Sequence, residues 1–215
     1  MMENTEISGI RRDYLLTELN ESTVFSDPIK QFSNWMEEVR KSNLIDPSAM
    51  ILATANKDSI PSVRVVLLKG FDYEGFTFFT NYESKKGKEL IENPNASILF
   101  FWKEFERQVR ISGIIKKVSQ KESEEYFYSR PYESRLAAWA SNQSEVIPNR
   151  DFLEIKFNNL KEKYQEKDVP LPPFWGGFKL LADNFEFWQG RENRLHDRIS
   201  YLKEGDTWKI VRLAP

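Results

Sequence analysis

AMILATANKDSIPSVRVVLLKG, residues 49–70, holds two apolar runs around a polar break. AMILATAN (49–56) is apolar, KDS (57–59) leads into a turn, and PSVRVVLLKG (61–70) is β-branched and apolar with Arg64 and Lys69 set into it. β-Branched residues favour extended backbone, and polar clusters between such runs mark turns, so two strands are expected. The same pattern recurs on both sides. DYEG (72–75) is a turn before FTFFTN (76–81), and ASILFFWK (96–103) and RQVRISGIIKKV (107–118) are again strand-like. FKLLA, NFEFWQ, RISYLK and TWKIVRL form a strand-rich tail, with EGD (204–206) as a hairpin turn.

Helices fall between these strands. Asp27-Pro28 opens one, because Asp caps and Pro suits the first helical position. Ile29, Phe32, Trp35, Met36 and Val39 then share a face, and the helix fades near Asn43. ESKKGKELIENP (83–94) is a short helix capped by Ser84, and Ser119 with Glu122 forms a capping box opening a helix to about Ser129. Pro131 starts a stretch ending near Ala140. Asn149 opens a longer helix with apolar spacing at Phe152, Ile155, Phe157 and Leu160. The expected class is mainly β with α decoration (α+β), a β-barrel with inserted helices. Residues 1–26 are polar and weakly patterned and are expected to form an arm, with 27–215 a single domain.

Composition narrows the chemistry. The chain has 215 residues, 31 Lys plus Arg, 33 Asp plus Glu and a formal charge of −2, which excludes a nucleic-acid footprint over the whole surface. It contains no Cys and one His, His196. Disulfides, thiol nucleophiles, Cys-based zinc and multi-His metal sites are therefore excluded, although carboxylates alone could still hold a hard cation; no metal is expected in the site. No apolar run reaches the roughly 18–20 residues of a membrane span, and the N-terminal stretch has no apolar export core. A cytoplasmic protein is expected. With no thiol, no His pair and no Walker motif, few residues can do difficult chemistry, which points to a bound organic cofactor; without G-x-G-x-x-G, a Rossmann dinucleotide site is not expected.

Five places carry cations or polar groups in unusual settings. In the first, either one of Arg64 and Lys69 snorkels to the surface or both reach anions at a strand end. In the second, Lys85 and Lys86 sit in the first turn of the Ser84-capped helix. They oppose its dipole unless an anion binds there; otherwise they are a solvated pair. Gln108 in an apolar strand suits a heterocycle edge or a cross-strand partner. Tyr126, Arg130 and Ser134 are spaced by four, which suits a phosphate site or an amphipathic surface, although Pro131 interrupts the spacing. Arg194, His196 and Arg198 alternate, so one strand face would present all three, favouring an anionic or electron-rich ligand.

Taken together, RVVLLK (64–69), FFTNYESKK (78–86), ERQVRISG (106–113), YFYSRPYESRLAAWASNQS (126–144), PPFWGGF (172–178), FWQGRENRLHDR (187–198) and WKIVRLAP (208–215) resemble the pyridoxamine/pyridoxine 5′-phosphate oxidase family. The resemblance implies a split β-barrel of the FMN-binding type, forming a homodimer with FMN at the subunit interface. It implies oxidation of pyridoxine or pyridoxamine 5′-phosphate to pyridoxal 5′-phosphate. O2 would become H2O2, and the amine would release NH3.

By position, the resemblance assigns FMN to Arg64, Val65, Val66, Leu67, Leu68, Lys69, Phe79, Thr80, Lys85, Lys86, Gln108, Gln143, Ser144, Trp188 and Arg198. It assigns the substrate phosphate to Lys69, Tyr126, Arg130 and Ser134, and the pyridine ring to Arg194, Leu195 and His196, with Arg194 and His196 as the catalytic pair. Arg11 to Tyr14 resemble an N-terminal segment that folds over the site. Phe79 stands where the family commonly has Tyr, and Lys85 where it has Arg, which implies a weaker hold on FMN. Rival readings are a phenazine-precursor oxidase of the same fold, a non-catalytic flavin or pyridoxal-phosphate binder, and a single-strand nucleic-acid binder, which the net charge disfavours.

Overall fold

The computed structural model describes residues 13–165 and 167–215; Arg11 lies outside them. Among the described residues nine strands are present: β1 (Ala49–Ala55), β2 (Pro61–Leu67), β3 (Gly70–Phe71), β4 (Phe76–Asn81), β5 (Asn95–Trp102), β6 (Arg107–Lys117), β7 (Trp175–Gln189), β8 (Asp197–Glu204) and β9 (Thr207–Arg212). Five helices accompany them: α1 (Pro28–Arg40), α2 (Lys85–Glu92), α3 (Gln120–Ser129), α4 (Tyr132–Ala140) and α5 (Arg150–Tyr164). Hydrogen bonding orders the strands β2-β1-β5-β6-β7-β4-β3, with β8 on β7 and β9 on β8. The β1–β2, β1–β5, β4–β7 and β7–β8 pairs are all antiparallel. The expected mainly β class with helices between strands is the observed one.

Local sequence sets the helix starts. The Asp27 side chain accepts from the Ile29 amide at 2.8 Å, with Pro28 in the first helical position. Ser84, Ser119 and Asn149 cap α2, α3 and α5 by the same device. Asp27→Ala is expected to cost about 1 kcal/mol and to lower Tm by roughly 2–4 °C in a chain of this size. Thermal unfolding followed by circular dichroism checks this; an unchanged midpoint contradicts it.

Three expectations are corrected. The run 61–70 is not one strand. It breaks after Leu67, because the Leu68 amide bonds to Ser48 while the Lys69 amide bonds to Thr77. FKLLA and NFEFWQ are one strand, β7, whose first half pairs with β4 and whose second half pairs with β8. Of the four apolar positions expected to line α5, Phe157 and Leu160 pack inward, together with Tyr164, while Phe152 and Ile155 stay exposed.

The chain forms two compact units. One takes in the described residues up to Pro47 (13–47), Phe100–Arg110 and Asn184–Pro215. Its core joins Phe32, Trp35 and Val39 of α1 to Phe100, Phe187 and Tyr201, with ring centroids 5.0 Å apart for Phe32–Phe100 and 5.2 Å for Trp35–Phe187. The other takes in Ser48–Leu99 and Ile111–Asp183. Its core holds Met50, Leu52, Phe76, Phe78, Ile98 and Phe178, with a second cluster around Phe127, Leu136, Val169 and Trp175. Among the described residues no helix is long and apolar enough to cross a membrane.

Candidate active site

In the unit containing 48–99, β4 runs into the Ser84-capped start of α2. Gly87 lets the first turn sit on the preceding chain; a Cβ there would meet the Tyr82 carbonyl oxygen at 2.3 Å. The Lys86 ammonium folds back onto Thr80 Oγ1 (3.0 Å), Ser84 Oγ (3.2 Å) and Gln143 Oε1 (2.8 Å), all neutral oxygens. Burial pushes the ammonium down to about 8; Arg64 adds to this and Glu89 opposes it. Lys86 is thus a partly desolvated cation at a helix N-terminus with only neutral acceptors, a setting that favours a nearby anion. The Lys85 amide donates to Ser144 Oγ at 3.2 Å, while its exposed ammonium lies 3.9 Å from Glu89.

Arg64 is turned into the protein. Its Nη1 donates to the Leu52 carbonyl (3.1 Å) and Thr54 Oγ1 (2.6 Å), and its Nη2 to Ser62 Oγ and to Glu89 Oε2 at 3.2 Å. Burial opposes ionisation of Glu89, but the Ser62 and Thr54 hydroxyls and Arg64 outweigh it, so its carboxyl lies below the usual range. Glu89 is a partner that sequence reasoning missed. Around Arg64, Val65 and Leu67 face outward, Val66 is half-buried, Leu68 is buried and Lys69 is exposed.

The same unit stacks three rings. Phe79 lies 3.9 Å from Tyr126 and 5.6 Å from Trp175, all nearly parallel. The Arg130 guanidinium sits 4.7 Å from the Trp175 centroid, and its buried Nη1 has no hydrogen-bond partner. Buried polar groups are nearly always paired, and among the described residues Arg130 Nη1, like Arg135 Nε, has no protein acceptor. The four-residue spacing does not run along one helix: α3 ends at Ser129, Arg130 is extended (φ −77°, ψ 149°), and α4 begins at Tyr132. Proline disfavours helical backbone at the residue before it, which is why the helix stops there. Tyr126 and Arg130 are close enough to couple electrostatically, and Ser134 is half-buried in the first turn of α4. Trp175, within the PPFWGGF run, is a further residue that sequence reasoning left unassigned.

The unit containing 184–215 carries the histidine. The expected strand face of Arg194, His196 and Arg198 does not form. β7 ends at Gln189, β8 starts at Asp197, and Glu192–Arg194 between them is a tight turn with Asn193 (φ 54°) and Arg194 (φ 63°) left-handed. Arg194 and Leu195 are therefore exposed on a turn, while Arg198 lies inside β8. The Arg191 amide donates to His196 Nδ1 at 3.1 Å, so the neutral ring carries its proton on Nε2. Burial, then Arg194, lowers the imidazole pKa, and Asp197 partly opposes them. His196 lies 4.7 Å from Trp188 and 5.6 Å from Tyr14, ring to ring.

Arg198 grips Glu186 with two nitrogens, at 2.8 and 3.1 Å, and the Ala214 carbonyl with a third at 2.7 Å. Glu186 also accepts from Arg110 at 2.6 Å, another pairing absent from the sequence reading. Gln108 is half-buried in β6.

The fold is that of the split-barrel proteins; one unit carries a partly buried lysine at a helix start and an arginine with one unpartnered nitrogen on an aromatic stack, and the other carries a Trp–His pair. A family model described as pyridoxamine 5′-phosphate oxidase matches residues 36–164. A second, pyridoxine 5′-phosphate oxidase C-terminal dimerisation region, matches residues 175–215. The chain belongs to the pyridoxamine 5′-phosphate oxidase family. It is 52% identical over 210 residues to a pyridoxine/pyridoxamine 5′-phosphate oxidase of Microcystis aeruginosa, covering 97% of this chain and 98% of that one. The protein of the same description from Cupriavidus metallidurans is 50% identical over 212 residues, covering 98% and 100%. Among solved structures, PhzG from Burkholderia lata 383, in complex with tetrahydrophenazine-1-carboxylic acid, superposes with TM-score 0.86 at 31% identity, over 92% of this chain and 98% of that one.

Proposed function

We propose that this chain is an FMN-dependent oxidase converting pyridoxine 5′-phosphate or pyridoxamine 5′-phosphate to pyridoxal 5′-phosphate. It would act as a homodimer with FMN at the subunit interface. The observation that carries the reading is the buried, unpartnered Nη1 of Arg130, held over Trp175 beside Tyr126. A phosphate monoester supplies the missing acceptor. Lys69 and Ser134 complete this anion set, with Tyr126 as a phenolic donor.

The start of α2 fits the FMN phosphate. Lys86, held by neutral oxygens in a partly desolvated place, is charged below about pH 8, and a bound anion stabilises that charged form. Thr80, Lys85, Gln143 and Ser144 surround it, and Arg64 through Lys69, Phe79, Gln108, Trp188 and Arg198 make up the rest of the cofactor set. When bound, FMN supplies the two-electron acceptor that O2 then re-oxidises, yielding H2O2.

The chain's own part is orientation and charge. Binding energy from the remote phosphate fixes the pyridine ring. His196, with its proton on Nε2, donates to the ring's 3-oxygen, while Arg194 stabilises charge that develops on the ring. Tyr14, edge-on to Trp188 and His196, closes the site.

Affinity of the flavin-free protein for FMN is expected to weaken as pH rises through about 8. Lys86 is charged below that pH and neutral above it, so the phosphate loses a cation as the ammonium deprotonates. Fluorescence titration of FMN at several pH values checks this. Lys86→Met should flatten the profile, and an identical slope in that variant contradicts the assignment.

Product analysis tests the function itself. Pyridoxamine 5′-phosphate with O2 and water should yield pyridoxal 5′-phosphate, NH3 and H2O2 in equal amounts. The alcohol should yield the aldehyde and H2O2 without NH3. A flavin-loaded protein that forms no aldehyde from either compound refutes the proposal.

A further inference from the structure

Residues 13–26 lie along the unit that contains His196 without forming helix or strand. Side-chain groups from elsewhere in the unit hold the later part of this arm, among them Asp197, which accepts from the Leu19 amide at 3.1 Å, Arg212, which donates to the Leu19 carbonyl at 3.0 Å, and the Tyr201 hydroxyl, which donates to the Phe25 carbonyl at 2.7 Å. The earlier part is held differently. The side chains of Leu15 and Leu16 are exposed, at 66% and 55%, so apolar burial does not fix them. Their backbone amides instead both donate to one carboxylate oxygen, Glu106 Oε2, at 2.9 and 3.2 Å. Glu106 is buried, and its backbone is left-handed (φ 53°, ψ 37°). Glycine would adopt that backbone without strain, so the local geometry carries a penalty in order to place a carboxylate here.

The main chain of Glu106 faces the same place. Its carbonyl accepts from the Gly190 amide at 2.8 Å. Gly190 is the floor under Tyr14: a Cβ there would meet the Tyr14 side chain at 2.7 Å. Tyr14 in turn packs edge-on against Trp188 and His196, at 5.8 and 5.6 Å. One residue thus sets the arm through its side chain and the arm's seat through its backbone.

We infer that Glu106 is a positioning residue: its carboxylate latches the Leu15–Leu16 backbone and thereby seats Tyr14 against Trp188 and His196. Its consequence for turnover rests on the function proposed above, in which Tyr14 and His196 meet the substrate. The latch itself does not rest on that function.

The experiment uses Glu106→Gly, Glu106→Gln and Tyr14→Ala in the flavin-loaded protein. Glu106→Gly removes the carboxylate and leaves a residue suited to the left-handed backbone. Hydrogen bonds to a charged acceptor are strong enough that amide exchange at Leu15 and Leu16 should accelerate at least about tenfold in Glu106→Gly. The Gly190 amide, bonded to the main chain of residue 106, should keep its protection. Glu106→Gln keeps an acceptor oxygen at the same reach and should hold Leu15 and Leu16 within about threefold of wild type.

In turnover, Glu106→Gly should raise KM about tenfold with kcat within about threefold. It should add nothing in the Tyr14→Ala background, because two residues acting through one contact are not additive. Unchanged exchange at Leu15 and Leu16 in Glu106→Gly, equal loss in the Gly and Gln variants, or additive KM effects with Tyr14→Ala would each overturn the inference. A wild-type protein without oxidase activity would overturn the proposed function and leave the exchange test of the latch intact.

Discussion

Arg194→Ala is expected to lower kcat by about 100-fold or more while FMN stays bound. Arg194 stands exposed on the turn before β8, and among the described residues no carboxylate pairs with it. Its charge is free to act on a ligand and is already felt by His196. Removing one donor that meets charge developed in a transition state typically costs about 10²–10³ in kcat. The backbone at this position is left-handed (φ 63°) for Arg and Ala alike, so the substitution leaves local strain unchanged. Arg194→Lys restores charge without the planar fork and should recover only part of the rate. Steady-state kinetics beside a measurement of bound flavin decides the matter: wild-type kcat in Arg194→Ala contradicts the role, and loss of flavin would move Arg194 into the cofactor set.

Arg130→Ala should raise KM for the phosphorylated substrate about 10–100-fold with kcat little changed. The guanidinium is half-buried on Trp175, and one of its nitrogens has no partner in the protein. A charged hydrogen bond is worth about 1.5–3 kcal/mol, and the phosphate lies away from the reacting carbon, so the loss falls on binding. Arg130→Lys should recover little, because a point charge replaces a bidentate fork. Equal KM values in wild type and Arg130→Ala would remove Arg130 from the phosphate site and deprive the functional reading of its main structural support.

How much was legible from sequence depended on distance along the chain. The caps at Asp27, Ser84, Ser119 and Asn149 were legible because each acts within three residues. The break after Leu67 was not, because it depends on which strands Leu68 and Lys69 bond to. The alternation of Arg194, His196 and Arg198 looked like a strand, yet Asn193 tolerates left-handed backbone and helps turn the chain before β8 begins. Ring stacking put Phe79 and Tyr126 with Trp175, which local pattern could not do.

The carboxylates were the largest omission. Glu89 meets Arg64 across 25 positions, Glu186 meets Arg110 across 76, and Glu106 meets Leu15 across 91. An acidic residue in a sequence carries no mark of its partner. Cations in conflict with a helix dipole do carry such a mark, which is why Lys85 and Lys86 are legible from the sequence.

The most direct test is the visible spectrum of the purified, desalted protein, reconstituted with FMN if needed, followed by anaerobic addition of pyridoxine 5′-phosphate. A flavin band that bleaches with substrate and returns on admitting air is the predicted result, because it separates and establishes both half-reactions. A flavin band that substrate never bleaches, or a protein that stays colourless after FMN is added, would contradict the account.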